Sequence, residues 1–224
     1  MKFKAIAKAS LALGMLATGV ITSNVQSVQA KAEVKQQSES ELKHYYNKPI
    51  LERKNVTGFK YTDEGKHYLE VTVGQQHSRI TLLGSDKDKF KDGENSNIDV
   101  FILREGDSRQ ATNYSIGGVT KSNSVQYIDY INTPILEIKK DNEDVLKDFY
   151  YISKEDISLK ELDYRLRERA IKQHGLYSNG LKQGQITMND GTTHTIDLSQ
   201  KLEKERMGES IDGTKINKIL VEMK

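Results

Sequence analysis

Apolar side chains recur at three- and four-residue spacing between Leu159 and Ala170, with Leu162 and Leu166 between them. On a helix of about four turns they draw one stripe, which calls for a sheet to cover. Ser158 stands at the N-cap position and Glu161 three residues on, so the pair predicts a reciprocal capping box. Gly175 supplies the stop. The opposite face spaces Glu161 with Arg165, Asp163 with Arg167 and Glu168 with Lys172 at i, i+4, the pattern of a solvated charged face. Elsewhere the period is two: Leu69, Val71 and Val73 alternate with polar residues, Ile80 and Leu82 follow, and Ile98, Val100 and Ile102 resume after a Lys/Asp/Gly-rich break.

Pro134 follows the one plausible hinge and separates two sets of signals. Before it, from residue 49 to 133, short strands suggest a small barrel or a sandwich, which pattern alone does not separate. A short helix precedes them, over Ser38 to Asn47 within a segment spanning residues 31–48, and ends before Pro49. After the hinge, residues 134–224 predict a strand at Ile135 to Lys139, another near Phe149 to Ile152, the capped helix, and two strands turning at Asp190-Gly191. A last strand puts Ile219, Val221 and Met223 on one face. Strands around a single long helix make an α+β unit.

Residues 1–30 read differently. Lys2, Lys4 and Lys8 precede an apolar run from Ala9 to about Ile21, followed by Val28-Gln29-Ala30, the layout of a secretory signal peptide cleaved after Ala30. Its removal takes three of the 34 basic residues and none of the 32 acidic ones, leaving 31 against 32. The basic excess therefore belongs to the leader and gives no support to binding nucleic acid or inserting in a membrane. Cysteine is absent, so thiol catalysis and thiolate metal sites are excluded, and an exported chain must hold its fold by its cores.

Catalytic chemistry is thin. None of the five histidines belongs to a close metal-ligand motif. His194 and Asp197 lie three apart, which on a regular strand points them to opposite faces, so no metal is expected, and no cofactor. Gly106-Asp107-Ser108 is a three-letter echo of a serine-protease loop, with Arg109 where glycine should follow, and makes Ser108 a weak nucleophile candidate. Its ordinary reading is a charged turn. Gly117-Gly118 lacks the context of a nucleotide loop and instead suits a crowded or bent strand. Eleven tyrosines and no tryptophan supply interface anchors without singling one out.

The helical stretch also carries a long motif. Lys154, Ile157, Leu162, Asp163, Arg167, Leu176 and Tyr177 resemble the second signature of the staphylococcal and streptococcal superantigen toxins, with Ala170 where that pattern has Leu. Ile116-Gly117-Gly118-Val119-Thr120 resembles the first signature, with Ile116 for its Tyr and no Asn at the expected distance. Leu42, Tyr45 and Tyr46, Asn132-Thr133-Pro134 and Arg206-Met207-Gly208 extend the resemblance to the superantigen-like branch. The resemblance implies an N-terminal OB-type barrel and a C-terminal β-grasp domain. It also implies a secreted virulence factor that binds host extracellular or innate-immune proteins, host proteases or their targets among them, and blocks host defence without superantigen activity. In a glycan-binding subgroup the site lies near the end of the long helix, here Leu176 to Asn189. Its contact residues do not map onto Ser178-Asn179-Gly180-Leu181-Lys182, so sialylated glycan binding is left unassigned. The alternative expectation is a secreted serine-type protease acting on host matrix or immune proteins.

Overall fold

The computed structural model describes residues 37–105, 111–124 and 129–224. The expected leader with its cleavage after Ala30, and Ser108, lie outside the described residues. The chain runs α1 (Glu39–Tyr46), β1 (Ile50–Asp63), β2 (Lys66–Val73), β3 (Gln76–Leu82), α2 (Asp86–Lys89), β4 (Gly93–Leu103), β5 (Thr112–Ile116) and β6 (Val119–Lys121). It continues through β7 (Ile135–Lys140), β8 (Glu143–Phe149), β9 (Asp156–Ser158), α3 (Leu159–His174), β10 (Gly184–Asn189), β11 (Thr193–Asp197), a 3-10 turn (Lys204–Gly208), β12 (Ser210–Asp212) and β13 (Lys218–Met223). Among the described residues no helix is long and apolar enough to cross a membrane.

The first sheet has the order β5-β3-β2-β1-β4-β6 and curls into an OB-type barrel. Its pivot is β1, which pairs with β4 along most of its length and with β2 from Gly58 to Asp63. Two register shifts between Arg53 and Gly58, with Asn55 at φ 54°, bend the strand there. Bulges of this kind turn a sheet back on itself. The bend is held by Asp99, which accepts the Asn55 N–H at 2.8 Å and the Ser122 hydroxyl. Leu69, Val71, Ile80, Leu82, Ile98, Val100 and Ile102, the expected alternating set apart from half-buried Val73, fill the barrel with Phe90 and Val119.

The second sheet, β11-β10-β13-β7-β8, is mixed, with β13 and β7 parallel at its centre. Helix α3 covers one face, as the apolar stripe requires: Leu159, Leu162, Leu166 and Ala170 are buried against Leu136, Ile138, Ile186, Met188, Ile219, Val221 and Met223. This is a β-grasp. Ser158 caps the helix by accepting the Glu161 N–H at 3.2 Å, and Gly175 ends it in the left-handed conformation.

Three expectations change. The strand placed near Phe149 to Ile152 lies earlier, at Glu143–Phe149, and only an isolated bridge from Asn132 to Ile152 follows. As an edge strand with almost every side chain exposed, β8 needs no apolar alternation, so its sequence, EDVLKDF, carries none. Strand β4 is buried on both faces from Ile98 to Leu103, because Phe101 and Leu103 face the second domain while Ile98, Val100 and Ile102 face the barrel. Finally, the capping box is half formed: the Glu161 carboxylate is taken by Lys154 and Arg165.

Candidate functional site

The charged face of α3 is solvated only in part: Glu168 and Lys172 pair at 2.7 Å with Lys172 exposed, while Asp163 and Arg167 are buried. Arg167 is completely buried, and its guanidinium reaches Asp163 (2.5 Å), the Tyr177 hydroxyl, and the carbonyls of Leu198 (3.1 Å) and Asp197 (2.8 Å). It also lies 4.6 Å over the Tyr46 ring, whose hydroxyl donates to Asp163 at 2.6 Å. Burial opposes the charge on Arg167, but Asp163 with Tyr46 and Tyr177 outweighs it and pushes the guanidinium pKa up. A buried ion pair persists only when its donors and acceptors are met in this way. Signature residues Asp163, Arg167 and Tyr177, with Tyr46, are therefore an internal fastener between α1, α3 and the Leu198 strand end.

A second, partly buried group joins the domains. Lys154 contacts Glu161 at 2.6 Å and Glu52 of β1 at 2.9 Å, while Arg165 contacts Glu52 at 2.7 Å and Glu161 at 2.9 Å. Burial works to raise the Glu52 pKa, yet Lys154 and Arg165 hold it below the ordinary carboxylate value. Nearby, burial pushes Lys160 down to about 8, and its ammonium donates to Ser115 (2.8 Å) and the Ile116 carbonyl (2.6 Å). The paired glycines lie in the same seam. Both have positive φ, and a Cβ would fall 2.4 Å from the Met207 carbonyl at Gly117 and 2.5 Å from the Phe101 oxygen at Gly118. At Gly117 the close approach is between domains, whereas Gly118 is crowded by β4 of its own barrel and reaches the second domain by donating its N–H to the Met207 carbonyl at 2.9 Å. Asp86, at the same junction, is fully buried with neither oxygen hydrogen-bonded, and burial pushes it up to about 8.

His194 Nε2 sits 3.2 Å from Asp190 rather than beside Asp197, and among the described residues no group of carboxylates and histidines is arranged to hold a metal.

Outside these fasteners a few large apolar side chains are exposed. Tyr130, Ile135, Phe149 and Tyr151 are exposed, from 38% for Ile135 to 63% for Tyr151, and they form two pairs. Ile135 is the cross-strand partner of Phe149, and the Tyr130 and Tyr151 rings are 5.2 Å apart. Alternation explains the set: Tyr150 turns in towards the core while Phe149 and Tyr151 turn out. Asn132 anchors the adjoining chain by donating to the Gly213 and Ile216 carbonyls at 2.8 and 2.7 Å, which gives Asn132-Thr133-Pro134 its structural purpose. Beside the aromatics opens a cleft of about 450 Å³ between β1 and α3. Its charges pair internally, Arg165 with Glu52 and Arg169 with Asp148 at 2.8 Å. Exposed aromatic side chains beside a self-neutralised rim have the composition of a protein-binding surface.

Comparison with known proteins agrees with this architecture. The model of the staphylococcal superantigen-like OB-fold domain matches residues 40–123, and that of the staphylococcal/streptococcal toxin β-grasp domain matches residues 131–223. The chain belongs to the staphylococcal superantigen-like family. It is 99% identical to staphylococcal superantigen-like 1 of Staphylococcus aureus (strain Newman) across all of both chains. It is 44% identical to staphylococcal superantigen-like 5 of the same strain, over 98% of each. Among solved structures, exotoxin 3 from S. aureus superposes with a TM-score of 0.81 at 98% identity, over 84% of this chain and all of that one. Superantigen-like protein 5 in complex with sialyl Lewis X superposes at 0.78 with 38% identity, again over 84% and 100%.

In this superantigen-like chain the region from Leu176 to Asn189 buries Leu176, Tyr177 and Leu181 and leaves Asn179, Gly180, Gln183 and Gln185 exposed. Ser178 accepts from Lys43 of α1 at 3.0 Å. The one sign of the aromatic face in the sequence is the run Phe149-Tyr150-Tyr151 beside a charged strand.

Proposed function

We propose that the protein is a secreted binding module that engages a host extracellular or innate-immune protein through the Tyr130, Ile135, Phe149 and Tyr151 face and blocks it at fixed stoichiometry. It does so without superantigen activity, as a two-domain body with limits at residues 49–133 and 134–224. The observation that carries this reading is the exposure of two apolar pairs, Ile135 with Phe149 and Tyr130 with Tyr151, since the few residues that carry most interface energy are enriched in aromatic anchors such as Tyr. Exposed side chains of this size have no packing role to explain them.

The experiment incubates purified protein at substoichiometric ratio with collagen, serum and neutrophil-secreted proteins, following complexes and fragments together. One saturable partner, lost in a Phe149→Ala/Tyr151→Ala variant, is the expected result. Fragments accumulating with time would instead establish a hydrolase, and a Ser108→Ala variant would then test that serine. A second reading has one observation in its favour: the complex of superantigen-like protein 5 with sialyl Lewis X. It assigns sialylated glycan binding to the Leu176 to Asn189 region, and a glycan array run on the wild type and on a Lys182→Ala variant tests it.

A further inference from the structure

Asn179-Gly180 is the one Asn-Gly pair in the chain. It forms the tip of the turn between α3 and β10, with Asn179 at φ 56° and Gly180 at φ 87°. Two successive positive φ angles mark a type I′ turn, a conformation that Asn and Gly tolerate better than other residues. Buried Tyr177 and Leu181 hold its base, the Tyr177 N–H donating to the Leu181 carbonyl at 2.7 Å, and the Leu181 N–H closes the turn on the Ser178 carbonyl at 3.2 Å. The tip itself is bare. Asn179 and Gly180 are exposed, and a Cβ built on Gly180 would meet nothing within 4 Å. Among the described residues neither the Asn179 side chain nor the Gly180 N–H has a hydrogen-bond partner.

Comparable pairs elsewhere are held. Asn95 and Asn123 are each followed by serine, but Asn95 donates to the Lys91 and Gly93 carbonyls at 2.8 and 3.0 Å, and Asn123 donates to the Ser153 carbonyl at 2.8 Å. The Ser124 N–H is taken as well, by Glu155 at 3.0 Å. At Asp190-Gly191 and Asp212-Gly213 the glycine nitrogens are engaged, Gly191 with Asn189 Oδ1 and Gly213 with the Glu155 carbonyl, both at 2.8 Å. A carboxylate there is also a poorer electrophile than an amide.

We infer that Asn179 is a site of spontaneous deamidation, in which the Gly180 backbone nitrogen attacks the Asn179 side-chain carbonyl carbon. Hydroxide removes the Gly180 N–H proton, the new C–N bond forms, and the side-chain nitrogen takes a proton from water and leaves as ammonia. The product is a five-membered succinimide. Water then opens either of its two ring amide bonds, giving aspartate or, with the chain rerouted through the side chain, isoaspartate; nothing is oxidised or reduced. Because nucleophile and electrophile belong to adjacent residues, the reaction needs no encounter beyond water and only the rotation that brings the two atoms together. Releasing the single Leu181 hydrogen bond frees the turn for that rotation, and Gly180 brings no side chain to obstruct it. The new carboxylate adds a negative charge next to Ser178, which accepts from Lys43 of α1. This chemistry rests on neither binding reading.

The test incubates the purified protein at neutral and at mildly alkaline pH and digests timed samples with trypsin, which releases residues 173–182 as one peptide. A zero-time sample corrects for conversion during digestion. Mass spectrometry should find the amide-to-acid mass change in this peptide first, ahead of those carrying Asn95 and Asn123, with aspartate and isoaspartate forms both present and the rate rising with pH. The native rate should lie within about tenfold of that in the urea-unfolded chain, the scale of one net hydrogen bond to be opened. An Asn179→Gln variant, whose ring closure is one atom larger, should fall to the rate of the other peptides. Fold protection of more than about tenfold, conversion appearing first at Asn95 or Asn123, or aspartate without isoaspartate would overturn the assignment.

Discussion

Replacing Arg167 with methionine removes a guanidinium while keeping much of the side-chain volume, and leaves Asp163 buried with its charge uncompensated. Asp163 is 2% exposed and would retain only the Tyr46 hydroxyl of the partners described. The Tyr177 hydroxyl and the Leu198 and Asp197 carbonyls would each lose a donor as well. Breaking a buried ion pair from one side costs about 3–5 kcal/mol, because the surviving charge stays out of water. Adding Asp163→Asn to the same chain removes that stranded charge, so the double variant should recover about 1–3 kcal/mol despite carrying one more substitution. With no tryptophan in the chain, far-UV circular dichroism during urea unfolding is the direct readout. A single variant that loses less than about 1 kcal/mol, or a double variant whose loss is the sum of the two singles, would refute the view of Arg167 as an internal fastener. The same variants should retain the aromatic face, so any partner bound there should still be captured below the unfolding midpoint.

Asp86 makes stability depend on pH in a particular direction. Its folded-state pKa is raised to about 8, so between about 4 and 8 the folded chain holds a proton that the unfolded chain has lost. This contribution is greatest below about pH 4 and is lost as pH rises towards 8, at up to about 1.4 kcal/mol per pH unit. Asp86→Asn should flatten that slope relative to wild type in urea titrations at pH 5 to 8, and parallel slopes would remove the argument. Gly117→Ala should destabilise by about 1–3 kcal/mol, since it adds strain at φ 55° and a 2.4 Å approach to the Met207 carbonyl; an unchanged unfolding midpoint would contradict this. Phe149→Ala/Tyr151→Ala should shift stability by no more than about 0.5 kcal/mol per exposed site, yet weaken partner binding by tenfold or more in a surface-capture assay. A large loss of stability with intact binding would reverse those roles.

What the sequence determined by itself is everything written in local periods and punctuation. The Leu159, Leu162, Leu166 and Ala170 stripe, the Ser158 and Gly175 ends and the alternating barrel strands each satisfy backbone groups or bury a face within a few residues of themselves. They are legible because helix and strand repeat at 3.6 and 2 residues wherever they occur. The long motifs marked the family, although the reason for each residue stayed hidden. The i, i+4 pair of Asp163 and Arg167 reads like any surface pair, and only the arrival of Tyr46 from α1 and of the Leu198 carbonyl makes it a buried one. Glu161 reads as half of a capping box until Lys154, seven residues earlier, turns out to be 3% exposed and in need of an anion. Tertiary structure alone likewise decided that β4 is covered on both faces, that Gly117 and Gly118 meet the backbone of another domain, and that Tyr150 turns inward while Phe149 and Tyr151 face water. The physical reason is common to all of them: sequence spacing sets which side chains share a face, but whether that face meets solvent or protein depends on elements a hundred residues away.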